Sequence, residues 1–163
     1  MAITGAVRVA GLDDAIVNLN ATAKRLLFQT KQGLIRAGFY IQREAQLNTP
    51  VDTGNLKAGA FVVWSGKGTT PVPRFEDKDG DEAYDRGVDF EEAVTQAQST
   101  VDMTKGLLDE QIMVEIGFSA AYAIFVHEDE EARHEVGSAK FLEMAVVDNE
   151  QRIIQIIAGT IKL

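Results

Sequence analysis

Residues 12–57 read LDDAIVNLNATAKRLLFQTKQGLIRAGFYIQREAQLNTPVDTGNLK, and this stretch decides the fold. Leu12, Ile16, Leu19, Ala23, Leu26, Leu27, Thr30, Leu34, Ala37, Ile41 and Ala45 keep to one face at about 3.6 residues per turn, which predicts a single long helix over 12–47. Asp13 and Asp14 stand in its first turn, where negative charge suits the helix dipole. Asn48-Thr49-Pro50 ends it, because the residue before a proline is pushed out of the helical region. Gly33 and Gly38 cost helical stability, so a bend or a close contact is expected at each. Two further faces are visible. Arg25, Arg36 and Arg43 superpose opposite the main stripe and read as a solvated charged face. Val17, Phe28, Ile35 and Phe39 form a second apolar stripe, which a small monomer rarely needs, and are the candidate subunit interface.

Outward from the helix, Pro50-Val51-Asp52-Thr53-Gly54 reads as a tight turn, and Ala58 to Trp64 as a strand with Phe61 and Val63 on one face and Val62 and Trp64 on the other. Val7 to Val9 is a short candidate strand before the helix. Residues 65–88 are rich in Gly, Pro and acid and are expected to form an acidic loop insertion. Asp89 is a plausible cap for a helix over Phe90 to Val101 that Gly106 stops. Ile112, Val114, Ile116 and Phe118 alternate with polar residues as a half-buried strand. A short apolar stretch, Ala120 to Val126, is followed by an acidic turn, and Ser138 is expected to open one C-terminal helix through Ile157. The expected architecture is α+β, one domain over 1–163, with a small mostly antiparallel sheet packed against a long N-terminal helix and a C-terminal helix.

The chain has 163 residues, 45 % hydrophobic and 25 % charged, which allows a real core and excludes a chain disordered throughout. No apolar run is long enough to span a bilayer, and MAITGAVRVAGLDD has neither a basic leader nor a sustained apolar stretch, so neither membrane span nor signal peptide is expected. With no cysteine, disulfides, thiol nucleophiles and cysteine zinc sites are excluded, and a reducing cytoplasm is the natural place of synthesis. The net charge of −9 is uneven: residues 1–73 carry 8 basic and 4 acidic side chains, residues 74–110 carry 4 and 12, and residues 111–163 carry 4 and 9. That balance opposes sequence-independent DNA binding, although the Arg25, Arg36 and Arg43 face keeps a DNA-binding module open as a rival reading.

Chemistry-bearing motifs are few. Asp77, Asp79 and Asp81 resemble a calcium loop, but the sixth and twelfth positions are Glu82 and Val88 where glycine and glutamate are required. His127 and Glu128 with His134 are the one place where imidazoles meet carboxylates, yet the two-histidine zinc motif needs its second histidine where Glu131 stands. A small metal-dependent hydrolase using His127, Glu128 and His134 is the enzyme rival. The sequence assigns no catalytic residue, no cofactor site and no metal site.

Two blocks are more specific. One is the helix leading into Thr49-Pro50-Val51-Asp52-Thr53-Gly54-Asn55-Leu56-Lys57. The other runs Val114-Glu115-Ile116-Gly117-Phe118, Tyr122-Ala123, His127-Glu128 and Val136-Gly137-Ser138-Ala139-Lys140-Phe141-Leu142-Glu143-Met144-Ala145. In order and spacing they resemble the minor capsid, neck and tail-completion (head–tail connector) proteins of tailed bacteriophages, over most of 12–60 and 111–150. The residues carrying the resemblance are Pro50, Asp52, Thr53, Gly54, Tyr122, Glu128, Gly137, Phe141 and Leu142, each with an ordinary structural role in turns and helix anchoring. The resemblance implies a non-enzymatic virion protein of the neck, made in the host cytoplasm. It implies a closed homo-oligomeric ring of about six or twelve copies. It also implies portal- or adaptor-side and tail-tube-side protein neighbours, and DNA passing nearby without specific binding.

Overall fold

The computed structural model describes residues 11–51, 54–64, 87–107 and 112–162. The candidate strand Val7 to Val9, the turn residues Asp52 and Thr53, and residues 65–86 of the expected acidic loop lie outside the described residues. The architecture is α+β, as the sequence leads one to expect: a long N-terminal helix, a two-stranded antiparallel sheet and C-terminal helices.

Helix α1, Leu12–Asn48, has 37 residues and so extends about 55 Å. Gly11 opens it in the left-handed region at φ 83°, and Asp13 and Asp14 occupy its first turn. It ends where Thr49 turns extended ahead of Pro50, and the buried Thr49 hydroxyl donates back to the Ala45 carbonyl at 2.7 Å. The short helix α2, Asn55–Ala58, follows Gly54, whose φ of 79° is a conformation glycine adopts without steric cost. Strand β1, Ala60–Trp64, therefore starts two residues later than the apolar run suggests, because Leu56 and Ala58 are buried from a helical turn instead.

Strand β1 pairs with β2, Val114–Phe118, in a register that sets Ala60 opposite Phe118 and Trp64 opposite Val114. The alternation expected along β1 is realised. Phe61 and Val63 pack with Val94, Ala97 and Val101 of α3, Gly87–Leu107. On the other sheet face, Val62 meets Gly38 of α1, as do Val114 and Ile116 of β2. Gln42 and Gln46 secure this face by donating from their side-chain amides to the carbonyls of Ala60 and Lys57, each at 2.8 Å. Helix α3 starts two residues before Asp89 and runs through Gly106 to Leu107, so Asp89 lies inside the helix and Gly106 does not stop it.

The stretch around Ala120 to Val126 becomes a short helix, α4, Ala123–Glu128. The expected single C-terminal helix is two helices, α5 (Phe141–Val147) and α6 (Glu150–Ala158), and Ser138 is not its cap. Lys140 holds that position, at φ 55°. The break at Asp148 and Asn149 is fixed from α1: the Tyr40 hydroxyl donates to Asn149 Oδ1 at 2.8 Å, while Asn149 Nδ2 donates to the Ala145 carbonyl. The kink lets α6 run back along α1. Gly33 provides the closest approach, since a Cβ there would meet the Ile157 backbone at 3.0 Å. Gly33 and Gly38 are thus both sites of close contact. Among the described residues, no helix is long and apolar enough to cross a membrane.

Candidate functional site

The two blocks singled out by the sequence meet in space where α1 ends. The Ser138 N–H donates to the Asn48 carbonyl at 3.0 Å, and Gly137, at φ 83°, lies directly against the backbone of Asn48, Thr49 and Pro50. A Cβ on Gly137 would come within 2.6 Å of the Asn48 oxygen, so only glycine permits the approach. Pro50 is buried at this junction.

Beside it sits a charged clasp between α4 and the start of α5. The Lys140 ammonium pairs with Glu128, whose other oxygen lies 2.8 Å from His127 Nδ1. The Lys140 N–H donates to the His127 carbonyl at 2.8 Å. Hydrogen bonding from Lys140 first, and from His127 second, holds the Glu128 carboxyl below its ordinary range, and the same bond pushes the Lys140 ammonium up. Underneath, Phe141 is 1 % exposed and takes the His127 and Phe118 rings edge-on, both at 4.9 Å between centroids. Leu142 is half-buried against the cluster of Ile41, Ala45 and Ala145. Tyr122 is exposed and heads α4, its carbonyl accepting from Phe125 and Val126. Of the motif residues within the described part, Pro50, Glu128, Gly137, Phe141 and Leu142 thus hold the α1 end, α4 and α5 together, while Gly54 and Tyr122 stand outside that junction.

An open groove of about 740 Å³ lies next to the clasp, edged by Glu130, Arg133, His134, Lys140, Glu143 and Asp148. Its charges are mixed, so it has no strong preference for either sign of ligand. Among the described residues, His127 and His134 each bury an Nε2 that finds no hydrogen-bond partner. Among the described residues, no group of three or more histidine, aspartate and glutamate side chains is placed to hold a metal ion. His127, Glu128 and His134 thus do not form the ligand set that the hydrolase reading requires.

Arg25, Arg36 and Arg43 are exposed, and Arg43 pairs with its neighbour Glu44 at 2.7 Å. The candidate interface stripe is divided. Val17 and Phe28 are 65 % and 63 % exposed, whereas Ile35 is half-buried and Phe39 meets Trp64 edge-on at 5.9 Å. The inner part of the stripe is covered by the chain itself, because β1 ends beneath it. Periodicity alone has no means of separating two parts of one stripe that differ only in what lies beneath them. The larger exposed feature belongs to the main stripe, whose spacing points to the core. Every residue in 11–25 is exposed, so among the described residues the outer half of that stripe, with Leu12, Ile16 and Leu19, stands clear of the body. The signal that could have shown this is length: a two-stranded sheet is far shorter than a 37-residue helix.

Comparison of the chain with protein-family models, curated proteins and solved structures finds no match.

Proposed function

We propose that this chain is a structural virion protein of a tailed phage, a ring-forming component of the connector that joins head to tail. The observation that carries the reading is the pairing of the two resemblance-bearing blocks. Residues 49–57 and 114–145 are far apart in sequence, yet Gly137 and Ser138 seat directly on the Asn48–Pro50 turn. Motifs that specify one another's packing are what a shared fold would keep together, whereas unrelated coincidences need not touch. The reading assigns the chain shape, apolar contact and charge steering between copies and neighbouring rings. Portal- or adaptor-side and tail-tube-side proteins are its neighbours, and the genome passes without specific binding. The exposed Val17 and Phe28 are the part of the candidate interface left for a neighbouring copy.

Cryo-electron microscopy of the intact neck of particles carrying this gene is the direct test. The reading expects density for a closed ring of this chain between portal and tail tube, with Phe28 covered. A solitary copy per particle, or purified virions lacking the protein, would overturn it. A gel shift over a salt series tests the Arg25, Arg36 and Arg43 rival, and Ala replacement of His127 and His134 tests the metal rival. The proposal expects no salt-resistant DNA shift, and no stoichiometric zinc or manganese binding that the double replacement abolishes.

A further inference from the structure

We infer that the free edge of β2 takes up the Val7-Arg8-Val9 segment of a second copy as a third strand, with Arg8 set beside Glu115. The register decides which backbone groups of the sheet look outward. The Ser119 N–H donates to the Gly59 carbonyl, and Phe61 and Val63 stand opposite Gly117 and Glu115. In an antiparallel pair that pattern turns the backbone groups of these four residues toward each other. Those of Ala60, Val62 and Trp64 on β1, and of Val114, Ile116 and Phe118 on β2, then point away from the pair. The two edges are finished differently. On β1, Gln42 of α1 donates to the Ala60 carbonyl at 2.8 Å and Gln98 of α3 to the Trp64 carbonyl at 3.3 Å, so side-chain amides occupy both ends of that edge. The first four residues of β1 are buried, whereas all five of β2 are only half-buried. Among the described residues, no hydrogen bond reaches the outward groups of Val114, Ile116 or Phe118. Such an unpaired row is a template for a further strand.

Glu115 says which strand fits. It lies on the sheet face of Val63 and α3, while Val114 and Ile116 face α1 at Gly38. One of its carboxylate oxygens is buried without a partner among the described residues. A charge on an edge strand repels indiscriminate pairing, and an incoming strand satisfies it only with a cation at the matching position. Val7-Arg8-Val9 has that pattern. With Arg8 on the Glu115 face, alternation places Val7 and Val9 on the α1 face, beside Val114 and Ile116. Residues 65–86 do not have it: Pro71 and Pro73 remove ladder donors from their apolar part, and the remainder is mainly acidic, which Glu115 repels.

Reach excludes the chain's own segment. Val114 lies against Gly38, and Leu12 stands 26 residues before Gly38 in one unbroken helix, about 39 Å away. Arg8 is four residues before Leu12, and four residues extend at most about 14 Å. The segment therefore falls roughly 25 Å short of its own β2, and a second copy supplies it. Each copy then gives one strand and accepts one, a heterologous contact that closes as a ring where the rotation allows. The isolated chain keeps the Glu115 carboxylate unpaired, and association brings its cation. The inference uses neither Val17 nor Phe28 and does not rest on the virion reading.

Sedimentation velocity and residue-resolved hydrogen exchange on the full chain test the inference. Association is expected in the micromolar range, and removal of residues 1–10 should leave a monomer with an unchanged circular dichroism spectrum per residue. The amides of Val114 and Ile116 should exchange at least about tenfold faster in the shortened chain, while those of Glu115 and Gly117, held by β1, stay slow in both. Arg8→Glu should weaken association about tenfold, and adding Glu115→Lys should restore it. Arg8→Glu changes no residue of the folded body, so it remains decisive even where Glu115→Lys fails to fold. The chain has no cysteine, so Arg8→Cys and Glu115→Cys chains, once mixed, should be joined by a short bismaleimide. One chain carrying both cysteines should give linked multimers and no internally linked monomer. A monomer at every concentration, indifference to Arg8→Glu, an internally linked monomer, or equal protection of Val114 and Ile116 without residues 1–10 would overturn the inference. A ring that forms normally without residues 1–10 would also overturn it while leaving the virion reading standing. Strand exchange in a protein absent from virions would do the reverse.

Discussion

The Ser138 N–H donates to the Asn48 carbonyl at 3.0 Å, joining the last residue of the long helix to the segment that precedes α5. That bond satisfies a carbonyl left without a helical partner at the end of α1. It forms only because Gly137 brings its backbone flush against Asn48, Thr49 and Pro50. Gly137→Ala should therefore cost about 2–5 kcal/mol, combining left-handed strain with a collision against backbone that has no room to move. Urea denaturation measures it. An unchanged midpoint would show that the junction does not depend on glycine. At Gly54, where φ is 79° but no described residue lies within 4 Å of the place a Cβ would take, Val should cost only the strain, about 1–3 kcal/mol.

Phe141 is the hub of the clasp, fully buried between the Phe118 and His127 rings. Phe141→Ala should destabilise by about 3–5 kcal/mol, since the cavity it leaves is walled by two rings and cannot collapse easily. Thermal unfolding should fall by about 10 °C or more.

The Glu128–Lys140 pair makes stability depend on pH in both directions. Glu128 is held below its ordinary range in the folded chain, so its contribution is complete above the unfolded carboxylate value and is lost as pH falls through the lowered folded one. Lys140 is raised, so its contribution is complete below the unfolded lysine value and is lost as pH climbs through the raised one. Lys140→Met should lower the denaturation midpoint between these limits and converge with the native chain at both extremes. A constant difference across the whole range would mean that packing of the side chain, and not its charge, is what matters.

Glu115 carries the opposite sign. It sits half-buried on β2 opposite Val63, with one carboxylate oxygen buried and without a partner among the described residues, and burial pushes its carboxyl up. The folded chain thus binds this proton more tightly than the unfolded chain does. Below the unfolded carboxylate value there is no penalty, and the penalty grows as pH rises through the folded value. Glu115→Gln should raise the melting temperature at neutral pH and leave it unchanged in strong acid. A lower melting temperature at neutral pH would show that Glu115 is paired after all.

Periodicity and proline placement determined by themselves that one helix spans residues 12–47, one residue short of its end at Asn48, because a 3.6-residue apolar repeat and a Thr-Pro stop are local instructions. Alternation likewise fixed which face of β1 each residue takes, Phe61 and Val63 on one side and Val62 on the other. The tertiary structure decided the rest. A stripe states that a helix has an apolar face, and only the partner elements decide which part of it is covered. Residues 33–45 lie beneath α5, α6 and the sheet, while Leu12, Ile16 and Leu19 lie beneath nothing in the described chain. The break between α5 and α6 was equally hidden, since it depends on Tyr40 reaching Asn149 across 109 positions of sequence. Contacts of that kind form only once the chain has folded back on itself, and a local pattern does not encode them.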